Sequence, residues 1–225
     1  HPVETATQTL ESNMRPVKFL LACLALMLSL ASFAADVQEG RDYVAINPPM
    51  ATDFPGKVEV TEFFWYGCPH CYHFEPTFRQ WLKTQPKDVV QRLVAVPLNP
   101  MSWTPGSKLY YALDAMGIEE KLRNDLFAAI HTERSLSPND ERAFPAWVAK
   151  KGVDAAKFSE VYGSFSVQSK VQRALQLGQA ARIDGTPSVV IAGRYRIVEP
   201  GGLSPERFAE VADALVARAR KDMGK

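Results

Sequence analysis

From Val58 to Tyr66 the chain is apolar except at Glu59, Thr61 and Glu62, and the run stops at Gly67. A near-continuous apolar stretch of this length predicts a strand buried on both faces. Beyond it, Cys71, Phe74, Phe78, Trp81 and Leu82 recur at helical spacing, so a helix opens at Cys68 and Cys71, and Pro76 removes one backbone donor within it. Tyr43–Ile46 is a shorter strand ahead of the breaker Asn47-Pro48-Pro49, and Val89–Leu98 is another, closed by Pro97 and Asn99-Pro100. From Trp103 to Arg182 the period is helical. The predicted segments are Lys108–Met116, Glu119–Glu133, Asn139–Lys150 and Ala155–Ile183, with Gly117, Ser137-Pro138, Gly152 and Gly163 separating or interrupting them. After Gly185-Thr186-Pro187 the β pattern returns as a hairpin, Ser188–Ala192 and Tyr195–Val198 about Gly193. A last helix has Ser204 at its N-cap, Pro205 at N1, and a stripe of Phe208, Val211, Ala212, Leu215 and Val216. The order β, β, α, β, helices, β, β, α predicts an α/β domain, 35–102 with 184–225, carrying an inserted helical subdomain, 103–183.

The amino terminus follows a different logic. Arg15 and Lys18 precede the apolar run Phe19–Leu30, and Ser32-Phe33-Ala34 places small residues where a signal peptidase needs them. This is the pattern of a secretory signal peptide over 14–34, cleaved after Ala34. The run is too short to span a bilayer, which takes about 20 apolar residues. Met14 then reads as the start, with residues 1–13 as upstream sequence. Leu20-Leu21-Ala22-Cys23 faintly resembles a lipoprotein cleavage box. A lipid on Cys23 would strand the apolar Leu24–Leu30 in the mature protein.

Composition sharpens the picture mainly by exclusion. Lys and Arg number 26 against 25 acidic residues, a net charge of +1 with no basic stripe, which argues against nucleic-acid binding. Of the three cysteines only Cys68 and Cys71 survive removal of the leader. A structural zinc site would need two more ligands, and a c-type haem needs His directly after the second cysteine, where Tyr72 stands. A purely structural bridge would ordinarily close a longer loop. Cys68 opens the helix, where unpaired N–H groups and the helix dipole favour a thiolate, the reactive form of cysteine. An exported chain with one Cys-x-x-Cys pair at a helix start is a working dithiol.

Strand, Cys-x-x-Cys helix with a proline five past the second cysteine, and a later Thr-Pro opening a hairpin resemble the thioredoxin fold. The tetrad Cys68-Pro69-His70-Cys71, the helical insertion and the leader together resemble the DsbA family of periplasmic thiol:disulfide oxidases, over about 40–225. The resemblance implies that Cys68, Pro69, His70 and Cys71 form the redox centre. Thr186-Pro187 is then a cis-proline loop packed on the disulfide and pairing with substrate backbone, with Thr186 where better-known enteric members carry valine. Glu62 and Glu75 stand at the family's spacing, six before and seven after the first cysteine, as residues that tune the redox centre. For Glu62 two readings stay open, a residue reaching solvent at the edge of the strand or a buried acid beneath the site. His70 can give the thiolate a hydrogen bond or a positive charge, or be a solvated histidine at a helix start.

The implied activity is donation of the Cys68–Cys71 disulfide to reduced, unfolded exported proteins. Reoxidation would come from a quinone-linked inner-membrane thiol oxidase of the DsbB type. No cofactor is needed beyond the redox-active disulfide itself, and a monomer is expected. The alternatives are a disulfide reductase, an isomerase, or a redox-linked chaperone of the same compartment. An isomerase should carry a further dimerisation domain, for which residues 35–57 leave little room.

Overall fold

The computed structural model describes residues 36–224; the leader, Cys23 and residues 1–13 lie outside them. Five strands form one sheet, β1 (Tyr43–Ala45), β2 (Val58–Phe64), β3 (Val89–Ala95), β4 (Ser188–Ile191) and β5 (Tyr195–Ile197), in the order β1-β5-β4-β2-β3. Strand β2 is central and buried throughout. It pairs parallel with β3, Val58 opposite Val89, and antiparallel with β4, Glu62 opposite Val189. The β4–β5 hairpin turns through Ala192, Gly193 and Arg194, the first two at positive φ, and the Arg194 N–H closes the turn on the Ile191 carbonyl at 2.9 Å. Gly193 is also obligatory for space, because a Cβ there would lie 2.1 Å from the Met50 carbonyl oxygen, whose own amide bonds back to Gly193.

Each strand ends one to three residues earlier than its apolar pattern predicts. At β2 the cause is local: the Cys68 N–H turns back onto the Trp65 carbonyl at 3.0 Å, so Trp65-Tyr66-Gly67 forms a loop. Helix α1 (Pro69–Lys83) follows, with Cys68 as its N-cap, Pro69 at N1, and Pro76 accommodated without a break. Between β3 and β4 run α2 (Pro100–Ala115), α3 (Glu119–His131), α4 (Phe144–Lys150), α5 (Ala155–Tyr162) and α6 (Phe165–Ala180), and α7 (Pro205–Asp222) closes the chain. Helix α2 begins two turns before the predicted Lys108. Asn99-Pro100, read as a strand terminator, is its N-cap and N1, the one helical position where proline costs nothing. Ala155–Ile183 divides at Gly163, and Ser164 caps the second helix by accepting from the Val167 N–H. Ser204 does the same for α7 through the Arg207 N–H, and the five predicted stripe residues of α7 are all buried.

Two apolar clusters hold these layers. One joins Val58 and Val60 of β2 to Phe74, Phe78 and Trp81 of α1 and to the α7 stripe. The other gathers Phe63 and Phe64 with Cys68, Cys71 and the buried faces of α2 to α6. The dithiol belongs to the second cluster. It therefore sits where the helices between β3 and β4 meet the end of the central strand.

Candidate active site

Cys68 and Cys71 are both free thiols, Cys68 at 8% exposure and Cys71 at zero. As N-cap, Cys68 has extended backbone and no side-chain cap bond, so the first-turn amides are left facing its sulfur. The Cys71 thiol donates to that sulfur and is the largest cause of a Cys68 pKa lowered to about 5. Burial opposes the shift. Thr186 and the backbone N–H groups of Cys71 and His70 reinforce it. Burial comes first in raising the Cys71 pKa, followed by the hydrogen bond it gives to Cys68 and by the charges of Cys68 and Glu62. One sulfur is thus poised as an anion and its partner as a protonated thiol.

Thr186–Pro187 is a cis peptide, as the resemblance implies, and Asn47–Pro48 is a second. The Cys68 thiol donates to the Thr186 carbonyl at 3.2 Å, which puts the loop against the reactive sulfur. The Thr186 hydroxyl is buried with no partner and is available to the sulfur once the proton has left. A cleft of about 370 Å³ opens beside it, lined by His70, Thr186, Pro187, Arg196 and Glu199. Gly201 closes it, since a Cβ there would come within 3.0 Å of the Pro187 ring. The His70 ring is exposed at this cleft, and the amide of His70 is what reaches the thiolate.

Glu62 is fully buried on the face of β2 that α1 covers, so the reading as an acid beneath the site describes its position. Neither carboxyl oxygen has a hydrogen bond, and the nearest cation is Arg123 at 3.8 Å. Burial raises its pKa to about 8, with the Arg123 charge pulling the other way. Glu75 meets the same arginine with two bonds, 2.6 and 2.9 Å, and Arg79 at 2.9 Å. Burial again raises its pKa, but these partners outweigh it and the net shift is downward. Arg123 also bonds Glu119 at 3.0 Å, lies over the Phe64 ring at 4.4 Å, and Tyr66 donates its hydroxyl to Glu119. Sequence reasoning missed Arg123, Glu119 and Tyr66. Glu119 and Arg123 are spaced four apart on a helix, the signature of an ordinary surface pair.

Glu62 yields a prediction. Folding favours its protonated form, so that stability is whole below about pH 4.5, the ordinary value, and is lost as pH rises toward about 8. Glu62→Gln should therefore melt higher than the parent at pH 8, by roughly 1–3 kcal/mol, with the gain vanishing near pH 4. Melting curves across that range test this, and a variant destabilised at pH 8 would show that Glu62 is held as a paired anion.

The family model for the DSBA-like thioredoxin domain matches residues 59–213. The thiol:disulfide interchange protein DsbA of Bordetella parapertussis is 45% identical over 205 residues, covering 90% of this chain and 96% of that one. Its counterpart in Pseudomonas aeruginosa is 36% identical over 202 residues, covering 89% and 94%. The crystal structure of Pseudomonas aeruginosa DsbA superimposes with a TM-score of 0.78 at 35% identity, covering 84% of this chain and 98% of that one. With a free Cys-x-x-Cys pair on a thioredoxin fold and these relatives along nearly its whole length, this chain belongs to the DsbA-like thioredoxin family and is a thiol:disulfide oxidoreductase.

Proposed function

We propose that the chain oxidises newly exported, unfolded proteins in the periplasm, with Cys68 as the sulfur that substrates attack. The observation that carries this reading is Cys68 at the N-cap of α1 with a partly exposed edge, its pKa held down to about 5 by the Cys71 thiol and the first-turn amides, beside a fully covered Cys71 whose pKa burial raises. A thiol that ionises so readily is a good leaving group, and a stabilised thiolate favours the reduced enzyme, so the disulfide is easily given away. A reductase would need the opposite bias.

In the first step a substrate thiolate attacks the Cys68 sulfur of the oxidised enzyme, forming a mixed disulfide and releasing Cys71, which takes up a proton. In the second step another substrate thiolate attacks the substrate sulfur of that mixed disulfide and expels Cys68 as thiolate. The substrate has lost two electrons and gained a disulfide, and the enzyme is left as the dithiol. Glu62, close enough for its charge to act on Cys71, is the group we assign to exchange a proton with it. The cis Thr186–Pro187 loop and its cleft would align an extended substrate chain against Cys68. Pro69 sets the helix start, and the His70 amide supports the thiolate while its exposed ring stands at the cleft an extended substrate would enter. Reoxidation falls to a quinone-linked membrane oxidase of the DsbB type, and the protein works as a monomer with no cofactor beyond its own disulfide. Oxidation of a reduced, unfolded client by stoichiometric disulfide-form protein tests the reading. Failure to form client disulfides while client-bound disulfides are reduced would reverse it.

Location rests on the leader. Among the described residues no helix is long and apolar enough to cross a membrane. Protein recovered from an exporting cell should begin at Ala35, read by intact mass, and a mass matching a lipidated Cys23 would overturn cleavage after Ala34.

A further inference from the structure

Four residues of α3 at four-residue spacing, Glu119, Arg123, Phe127 and His131, all reach the loop and helix that carry the dithiol. Glu119 and Arg123 do so through the buried charges already described. Phe127 packs against the rings of Tyr66 and Tyr72. His131 ends the helix, and nothing in the proposed reaction uses it. Its ring nitrogen Nε2 lies 2.7 Å from the Tyr66 carbonyl oxygen, and since a carbonyl can only accept, Nε2–H is the donor. The same ring stacks on Tyr72, the residue after Cys71, at 5.0 Å and 11°. The Tyr72 hydroxyl is in turn 3.0 Å from the hydroxyl of Thr132, the next residue of the chain.

Tyr66 lies past the last paired residue of β2, so its carbonyl has no ladder partner, and the residue is 1% exposed. His131 supplies the bond a buried carbonyl needs. The peptide so held joins Tyr66 to Gly67, directly before Cys68, and it has little room. A Cβ on Gly67 would lie 2.2 Å from the Trp65 ring and 2.8 Å from Pro138. Rotation of this peptide would move the Cys68 N–H off the Trp65 carbonyl and shift the sulfur relative to the amides of His70 and Cys71. We propose that His131 is a positioning residue for the dithiol, its Nε2–H fixing the Tyr66–Gly67 peptide so that the Cys68 sulfur faces the first-turn amides. The inference rests on the reading of Cys68 as the reactive thiol.

Three substitutions in the full chain separate donor, ring and fold. His131→Ala loses both donor and stacking ring, His131→Phe keeps a ring without the donor, and His131→Gln keeps an N–H donor without the ring. Two quantities are read in each: the pH midpoint of Cys68 alkylation, with the alkylated cysteine identified by mass, and the equilibrium constant with glutathione. His131→Phe and His131→Ala should raise the midpoint and stabilise the disulfide about three- to tenfold, the weight of one buried hydrogen bond, and His131→Gln should stay near the parent. Should the alanine variant fail to fold, the phenylalanine–glutamine comparison decides alone. Equal lowering of melting temperature in both redox forms with an unmoved Cys68 midpoint in His131→Phe would overturn the inference and leave the function intact. Alkylation of Cys71 ahead of Cys68 in the parent would take down both.

Discussion

Cys68→Ser abolishes oxidation of client thiols, whereas Cys71→Ala leaves a protein that opens a disulfide and keeps one half as a stable mixed disulfide, the other half leaving as thiolate. This is the expected result from the asymmetry of the pair. Cys68 keeps its edge exposed, holds the N-cap and has its pKa lowered to about 5 by its hydrogen-bond partners; Cys71 is sealed and burial raises its pKa. Without Cys68 no accessible thiol remains among the described residues, because Cys71 is fully covered, and turnover should fall to the uncatalysed background. Without Cys71 the thiolate persists and can attack a disulfide, but no internal partner resolves the product. The depression of the Cys68 pKa also loses its largest cause in that variant, the hydrogen bond from Cys71, so its alkylation midpoint should rise. In the reduced parent, iodoacetamide should label Cys68 first, well below neutral pH. Faster labelling of Cys71 would reverse the assigned roles.

The second large effect is an inversion of the usual rule that a disulfide stabilises. Closing a loop of this size is worth about 1.9 kcal/mol to the oxidised form in the chain-entropy view. Against it stands a thiolate whose folded pKa is about 5. At pH 7 this stabilises the reduced form by about 2.7 kcal/mol relative to an unfolded thiol titrating near 8.5. The thiolate wins by roughly 0.8 kcal/mol, and the reduced protein should melt about 2–3 °C above the oxidised one. The folded pKa is lowered, so this stability is whole above about pH 8.5 and is lost as pH falls through about 5. The two melting temperatures should therefore cross near pH 6.4, with the oxidised form the more stable below it. His70→Ala should leave the reduced form the more stable at pH 7, because the amides of His70 and Cys71 and the Cys71 thiol remain. An oxidised form that melts higher at pH 7 would make the pair a reductant or a weak exchanger.

How much of this was legible beforehand depends on whether the signal is local. The order of elements, the hairpin at Gly193, the capped last helix and the dithiol at a helix start all follow from short-range pattern, and the structure carries each of them. The cis peptide at Thr186–Pro187 came from resemblance alone, since no nearby residue demands it. Helix α2 exceeds its predicted length because Asn99-Pro100 reads as a strand terminator, although Pro100 is at N1 and Pro105 is tolerated inside the helix. Arg123 and His131 were invisible for a different reason. Their partners, Glu62, Glu75 and Tyr66, are 48 to 65 residues away along the chain, and only the docking of α3 beneath β2 and α1 brings them together. Glu62 was recognised as a candidate by spacing, but what makes it unusual, burial with both oxygens unbonded, is a tertiary property.

A fold that holds the Cys68 thiolate makes the Cys68–Cys71 disulfide easier to reduce than the bare sequence would. Equilibration with glutathione at pH 7, once in buffer and once in denaturant, measures this directly. By the thermodynamic cycle linking redox state and folding, a preference of roughly 0.8 kcal/mol requires the native pair to be reduced about fourfold more readily than the unfolded one. A native disulfide as hard to reduce as the unfolded one, or harder, would contradict the account.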